Sequence, residues 1–205
     1  DFRCQMLRAG VSRLAAILLT HEHKDHTGGI DDVRAFNFVD FPPLIRPVDI
    51  YAAPATARVV RKDYDYAFEE DKYRGAPDIR LHEIDVRQPF EIAGERIVPV
   101  SGHHSERFEV TGYRIGPIAY LTDFKTIADT EVEKLKGVEV LVVNALRFRT
   151  HPSHFNVEEA LALIARVAPR RALLTHMSHE IGRHAVTSGH LQQGVELAYD
   201  GLKIN

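Results

Sequence analysis

Short apolar runs recur along this chain, and each stops at polar residues, at Gly or at Pro. Runs of that length between turn residues predict strands, at residues 14–20 (LAAILLT), 49–53, 84–86, 96–100, 110–115, 118–122, 138–143 (VEVLVV), 171–175 (RALLT) and 202–204. The first and the VEVLVV run are apolar with little alternation, so they read as buried strands. Gly116-Pro117 predicts a hairpin-type turn. Helical stretches are predicted over 30–35, 55–64, 130–136, 156–167 and 189–198. Pro54 opens the second of these, where its missing N–H costs little. Asn156 is a suitable N-cap for the fourth, with Glu158 and Glu159 in its first turn, and Pro169 stops it. Strand meanders mixed with strand–helix alternation predict an α/β fold with sheets covered by helices. The 205 residues show no internal repeat, low-complexity tract or long linker, so a single domain over 1–205 is expected. Residues 65–78 are polar, aromatic and irregular, and read either as a lid or substrate loop or as a solvated connection.

Composition narrows the classes. The apolar fraction of 44% is enough for a buried core, and charged residues make up 27% with both signs interspersed. A net charge of -3 gives no overall basic field, so nucleic acid is not an expected partner. No apolar run reaches the length of a membrane span, so no membrane partner is expected. The lone Cys4 cannot form an intrachain disulfide, which favours a reducing, cytoplasmic setting, and it is read as a small residue without a role. The opening residues resemble neither a signal peptide nor a natural start, and an N-terminal truncation is expected. Twelve histidines are many for this length, and imidazole is both the commonest metal ligand and a proton carrier near neutral pH.

These histidines cluster. Residues 20–29 read T-H-E-H-K-D-H-T-G-G, directly after the first predicted strand. A strand would send residues 25 and 26 to opposite faces, whereas a tight loop at its end can turn His21, His23, Asp25 and His26 toward one place. Such a loop can give His21 and His23 to one metal and Asp25 and His26 to a second. Imidazole plus carboxylate without thiolate is a borderline set suited to zinc, manganese or iron.

The segment resembles the H-x-H-x-D-H signature of the metallo-β-lactamase superfamily. More closely, the chain resembles the phosphodiesterase branch that includes the cyclic ribose-phosphate phosphodiesterase of phosphonate breakdown. The resemblance implies an αββα sandwich, here lacking its first strands if the N-terminus is truncated. It also implies two divalent ions, zinc or manganese first and iron next. His104, Asp123 and His176 fall where that family has its remaining ligands, with Asp123 as the bridging carboxylate. His103 is the neighbouring alternative to His104. Common zinc β-lactamases place a cysteine at the bridging position, and flavin-linked di-iron relatives replace the second histidine by glutamate. With Asp123 and His23 in those places, both readings weaken. The matching histidine to His179 in relatives helps hold a separate structural zinc with N-terminal cysteines, which this chain lacks.

The chemistry so implied is attack on a small cyclic or nucleotide-like phosphodiester by water activated between two cations. Asp25 would bind a metal and orient the nucleophile. His154 would protonate the leaving oxygen, with His151 as its alternative, and Arg147 and Arg149 are candidates for steering phosphate. Thioester or lactone hydrolysis, RNA processing and a non-catalytic metal-binding role are the competing readings. A homodimer is compatible with all of them.

Overall fold

The computed structural model describes residues 2–204, and these fall into two compact units that divide after Asp85. In the first unit, helix α1 (Phe2–Ala9) precedes a short strand β1 (Ile17–Leu18), the single-turn helix α2 (Lys24–Thr27), and a 3-10 turn (Ile30–Val33) that runs into α3 (Arg34–Asn37). Strand β2 (Val48–Ala52), helix α4 (Pro54–Asp63) and strand β3 (Ile79–Glu83) complete it. The three strands form one parallel sheet in the order β1-β2-β3.

Alternation along β2 assigns its faces. Val48, Ile50 and Ala52 are buried, and together with Ala57 and Val60 of α4 and Tyr64 they form the unit's core. The other face is polar. Asp49 pairs with Arg80 at 2.7 Å and with His82 at 2.6 Å, and the His82 ring stacks on Tyr51 at 4.5 Å. These are cross-strand neighbours in the β2–β3 register.

The second unit begins with the hairpin β4 (Phe90–Ile92) and β5 (Glu95–Ser105), whose turn residues Ala93 and Gly94 take positive φ. Strands β6 (Phe108–Ile115) and β7 (Ile118–Leu121) continue the antiparallel meander. Then come α5 (Asp129–Glu133), β8 (Val140–Asn144), α6 (Val157–Val167), β9 (Arg171–Thr175), α7 (His184–Ser188) and β10 (Val195–Leu197). The seven strands lie in the order β10-β9-β8-β7-β6-β5-β4, and the pairings from β7 to β10 are parallel. A capping box starts α6: Asn156 accepts from the Glu159 N–H while the Glu159 carboxylate accepts from the Asn156 N–H. Two glycines let the core close. A Cβ on Gly102 would come within 2.2 Å of the Phe124 ring, and one on Gly112 within 2.2 Å of Leu121.

Several predicted elements shift. The strand expected over 14–20 contracts to two residues, Ile17 and Leu18, which pair with Ile50 and Tyr51 at the edge of the sheet. The strand expected at 84–86 lies earlier, at 79–83, where Ile79 can pair with Val48. The helix expected over 189–198 is absent. Gly194 turns the chain with φ 82°, and Val195–Leu197, buried at both ends and exposed at Glu196, pairs with β9. That alternation is the period-two signal of a strand. Residues 202–204 form no strand. Residues 65–78 are irregular as expected, apart from a 3-10 turn at Asp65–Ala67.

Candidate metal centre

The first cluster sits at the C-terminal end of β1. His23 is the N-cap of α2, with extended backbone, so the chain turns sharply between His21 and His26. His21 is almost completely buried, and its ring lies 4.6 Å from that of His23 and 4.4 Å from that of His26. His21 Nε2 and His23 Nδ1 are 3.0 Å apart, and Thr20 Oγ1 lies 3.1 Å from His21 Nδ1. Asp25, the exposed member, reaches His26 Nε2 at 3.2 Å. The turn is tied to α4 and the residue after it. Thr56 donates to Glu22, Tyr64 donates to the Thr27 carbonyl at 2.8 Å, and Lys24 pairs with Asp63 at 2.7 Å. Thr27 Oγ1 donates back to the His23 carbonyl.

The second cluster belongs to the second unit. His104 lies near the end of β5, which extends further than the sequence predicted. Of the two neighbouring histidines, His103 is exposed and His104 is buried, at a register irregularity between His103 and Ser105. Asp123 and His176 each follow the C-terminal end of a parallel strand, β7 and β9. Both take left-handed backbone, with φ 63° and 53°. Non-glycine residues in that region carry a cost and persist where the surroundings over-determine them, which functional sites commonly do.

His154 links the set. Its Nε2 lies 3.0 Å from Asp123 Oδ1, its ring stacks on His176 at 5.0 Å, and His104 meets it edge-on at 4.5 Å. His104, Asp123 and His154 each offer a ligand atom within 4.8 Å of the others. Asp123 also approaches His176 Nε2 at 3.2 Å and accepts from Thr122 Oγ1 at 2.6 Å.

The turn over residues 151–154 fixes how two of these rings present themselves. The Ser153 carbonyl lies 2.6 Å from His104 Nδ1, so Nδ1 carries the proton and His104 turns Nε2 to the cluster. The Ser153 N–H donates to His151 Nδ1, which is therefore an acceptor. His154 Nδ1, 3.0 Å from the same atom, is then the donor. Burial, with His154, Arg147 and Lys125 nearby, holds the His151 pKa below its ordinary value, consistent with a neutral acceptor.

Other expected residues stand apart. Arg147 and Arg149 pair with Glu180 at 3.1 and 2.8 Å, and Arg147 also donates to the Thr150 carbonyl. His179 is exposed at the start of a 3-10 turn, and no ligand group among the described residues includes it. Cys4 is exposed on α1. A residue the sequence reading passed over is Asn144, fully buried at the end of β8. Its Oδ1 accepts from the Phe124 N–H at 2.8 Å and its Nδ2 donates to the Phe124 carbonyl at 3.0 Å, which pins the backbone next to Asp123. Its signal was available: like Asp123, it is a polar residue that ends an apolar run.

Comparison with known proteins identifies the family. The beta-lactamase superfamily domain matches residues 1–177. A solved structure described as a new diphosphatase from the PhnP family superposes with a TM-score of 0.89 at 35% identity, covering 100% of this chain and 75% of that one. An octanoyltransferase of Porphyromonas gingivalis is 37% identical over 204 residues, 99% of this chain, but this chain spans only 40% of its length. Ribonuclease Z of Mycobacterium bovis is 26% identical, over 88% of this chain and 73% of the relative. Among the described residues no helix is long and apolar enough to cross a membrane.

Proposed function

The chain belongs to the metallo-β-lactamase superfamily and has its α/β fold, and from that premise we propose that it is a metal-dependent phosphodiesterase acting on a small cyclic or nucleotide-like phosphodiester. The observation that carries the reading is the convergence on the buried Asp123 carboxylate of His154 Nε2 at 3.0 Å and His176 Nε2 at 3.2 Å, with a His104 nitrogen within 4.8 Å of the Asp123 and His154 atoms. The similarity to a diphosphatase and to ribonuclease Z, both named for phosphate-ester or anhydride cleavage, favours phosphorus over carbonyl substrates.

The donors fit divalent ions. Both clusters combine imidazole and carboxylate with no thiolate, a set that suits zinc or manganese. His21, His23, Asp25 and His26 would serve as ligands in the first unit, and His104, Asp123 and His176 in the second. Bound cations would supply Lewis acidity and a water whose pKa falls toward neutrality.

The remaining steps belong to the protein's own groups. Asp25, exposed beside His26, is placed to orient a water. His154 holds a proton at Nδ1 through His151, so its Nε2 is the atom that exchanges protons with the substrate. With Nδ1 protonated, donation from Nε2 requires the doubly protonated ring, and Asp123 Oδ1 lies 3.0 Å from that atom. Delivery of that proton to the departing alkoxide lets a poor leaving group depart. Ser153, through its carbonyl and its N–H, holds the His104 and His151 rings in the orientations that this scheme needs.

Turnover of bis(p-nitrophenyl) phosphate tests the reading. We expect activity that a chelator abolishes and zinc or manganese restores. Metal-loaded protein that leaves this diester intact, yet hydrolyses a thioester or a lactone, would overturn it. Precursor tRNA in the same panel separates the RNA-processing alternative.

A further inference from the structure

The polar excursion over residues 65–78 has no part in the chemistry above. In the first unit it folds against the segment that precedes β2. Phe38, Phe41 and Ile45 from one stretch and Lys72, Tyr73 and Arg74 from the other line a cavity of about 470 Å³. That volume is in the range of small-molecule sites. Asp78, which also lines it, immediately precedes β3, and its carbonyl accepts from the Val48 N–H at 2.9 Å. The cavity therefore lies at the N-terminal edge of β2 and β3. The His21–His26 turn follows the C-terminal end of β1 in the same parallel sheet. The five residues of β2, at roughly 3.3 Å each, put about 16 Å between the two edges. The cavity is thus a separate place, not a lid over the metal ligands of its unit.

Its chemistry is specific. Phe41 is 57% and Tyr73 81% exposed, which leaves two aromatic faces to solvent. Phe38 supports Phe41 edge-on at 5.9 Å. Tyr73 opens a tight turn closed by the Ala76 N–H to its carbonyl, and its ring lies so close over Gly75 that a Cβ there would come within 2.5 Å of it. The ring is thereby held by backbone. Of the two cations, Lys72 is committed to Asp78 at 2.6 Å and to the Ala67 carbonyl. Arg74 makes no hydrogen bond or ion pair with any described residue. Aromatic faces beside one uncommitted guanidinium match a planar aromatic ring that carries phosphate. Glu69, Glu70 and Asp71 are exposed within the excursion but outside the lining, and they oppose ligands of higher charge.

We propose that this cavity is an accessory binding site for a nucleoside monophosphate, with the base against Tyr73 and Phe41 and the phosphate on Arg74. It is independent of the hydrolase reading. Calorimetric titration of the full chain with AMP, with and without chelator, tests it, because binding that survives chelation cannot depend on a bound metal ion. We expect Tyr73→Ala to weaken AMP about fivefold to 100-fold, the value of one stacked base. Arg74→Gln should weaken it by about tenfold or more, as loss of a charged hydrogen bond does. Adenosine and inorganic phosphate should each bind more weakly than AMP. Both positions are exposed, so unchanged melting temperatures would show the folds intact. No binding of AMP after chelation, wild-type affinity in either variant, or phosphate alone binding as tightly as AMP would each overturn the proposal.

Discussion

Replacing Asp123 by Asn separates its charge from its backbone role. The carboxylate is 2% exposed and lies within 3.2 Å of two imidazoles, with Thr122 donating to it at 2.6 Å. Asn keeps the shape and an acceptor oxygen but removes the negative charge. It also tolerates the left-handed backbone at φ 63°, where Ala would add roughly 1 kcal/mol of strain. For a chain of this size that strain is about 2–4 °C in melting temperature. Outer partners of metal ligands are typically worth about 10- to 100-fold in affinity, and a direct ligand should exceed that. We therefore expect Asp123→Asn to melt near the wild type but to lose at least one metal on dialysis, with diester turnover down by more than about 100-fold. Asp123→Ala should show the same metal loss and the extra thermal cost. Elemental analysis after dialysis, thermal melting and the diester assay read the three quantities. Full metal content with unimpaired turnover in the Asn variant would refute the assignment of this carboxylate as a ligand.

Asn144→Ala should destabilise the protein by about 1–3 kcal/mol in denaturant unfolding, because the buried Phe124 N–H loses its acceptor while the Phe124 carbonyl keeps the Phe155 N–H at 2.7 Å. It should lower metal retention as well, since the backbone it pins carries Asp123 into place. His154→Ala should keep metal content and slow diesters with poor leaving groups most; a uniform slowdown across leaving groups would contradict the proton-donor role. Asp49→Asn tests a structural ion cluster by pH. Burial raises the Asp49 pKa, but hydrogen bonds and charge from Arg80 and His82 outweigh it and leave the net value below the ordinary 3.8. The stability it contributes is present above pH 3.8 and is lost as the pH falls below that, through the lowered folded value. Melting temperature against pH should therefore fall more steeply below pH 3.8 in the wild type than in the Asn variant, and equal slopes would count against the pairing.

The parts of the site that could be read from sequence are those encoded locally. The His21–His26 turn is one short stretch after an apolar run, and the structure builds it as one turn capped by His23. Residues 171–175 and the Asn156 cap were legible for the same reason: periodicity and capping act over a few residues. What failed depended on partners far along the chain. Val195–Leu197 is a strand because β9 offers it a parallel edge, and β1 pairs with β2 at Ile17 and Leu18 alone. The excursion over 65–78 was visible as irregular, but its aromatic cavity needed the distant Phe38–Ile45 stretch to complete it.

The choice between His103 and His104 depends on where an element ends. With β5 ending at residue 100 the two histidines would lie in a loop, where only the spacing to Gly112-Tyr113 favours His104. The strand runs to Ser105 with a register irregularity between His103 and Ser105, and there His104 is buried beside the Ser153 carbonyl while His103 is exposed. Strand ends also place Asp123, Asn144 and His176. In each of three neighbouring parallel strands the polar residue comes at or just past the C-terminal end. There a side chain can leave the apolar layer without breaking the ladder. Two of the three do so through left-handed backbone, which the third helps to hold by bonding the Phe124 peptide. A polar residue that abruptly ends an apolar β-branched run is thus a physical signal for a site position, and in this chain Asn144 carried that signal as plainly as Asp123 did.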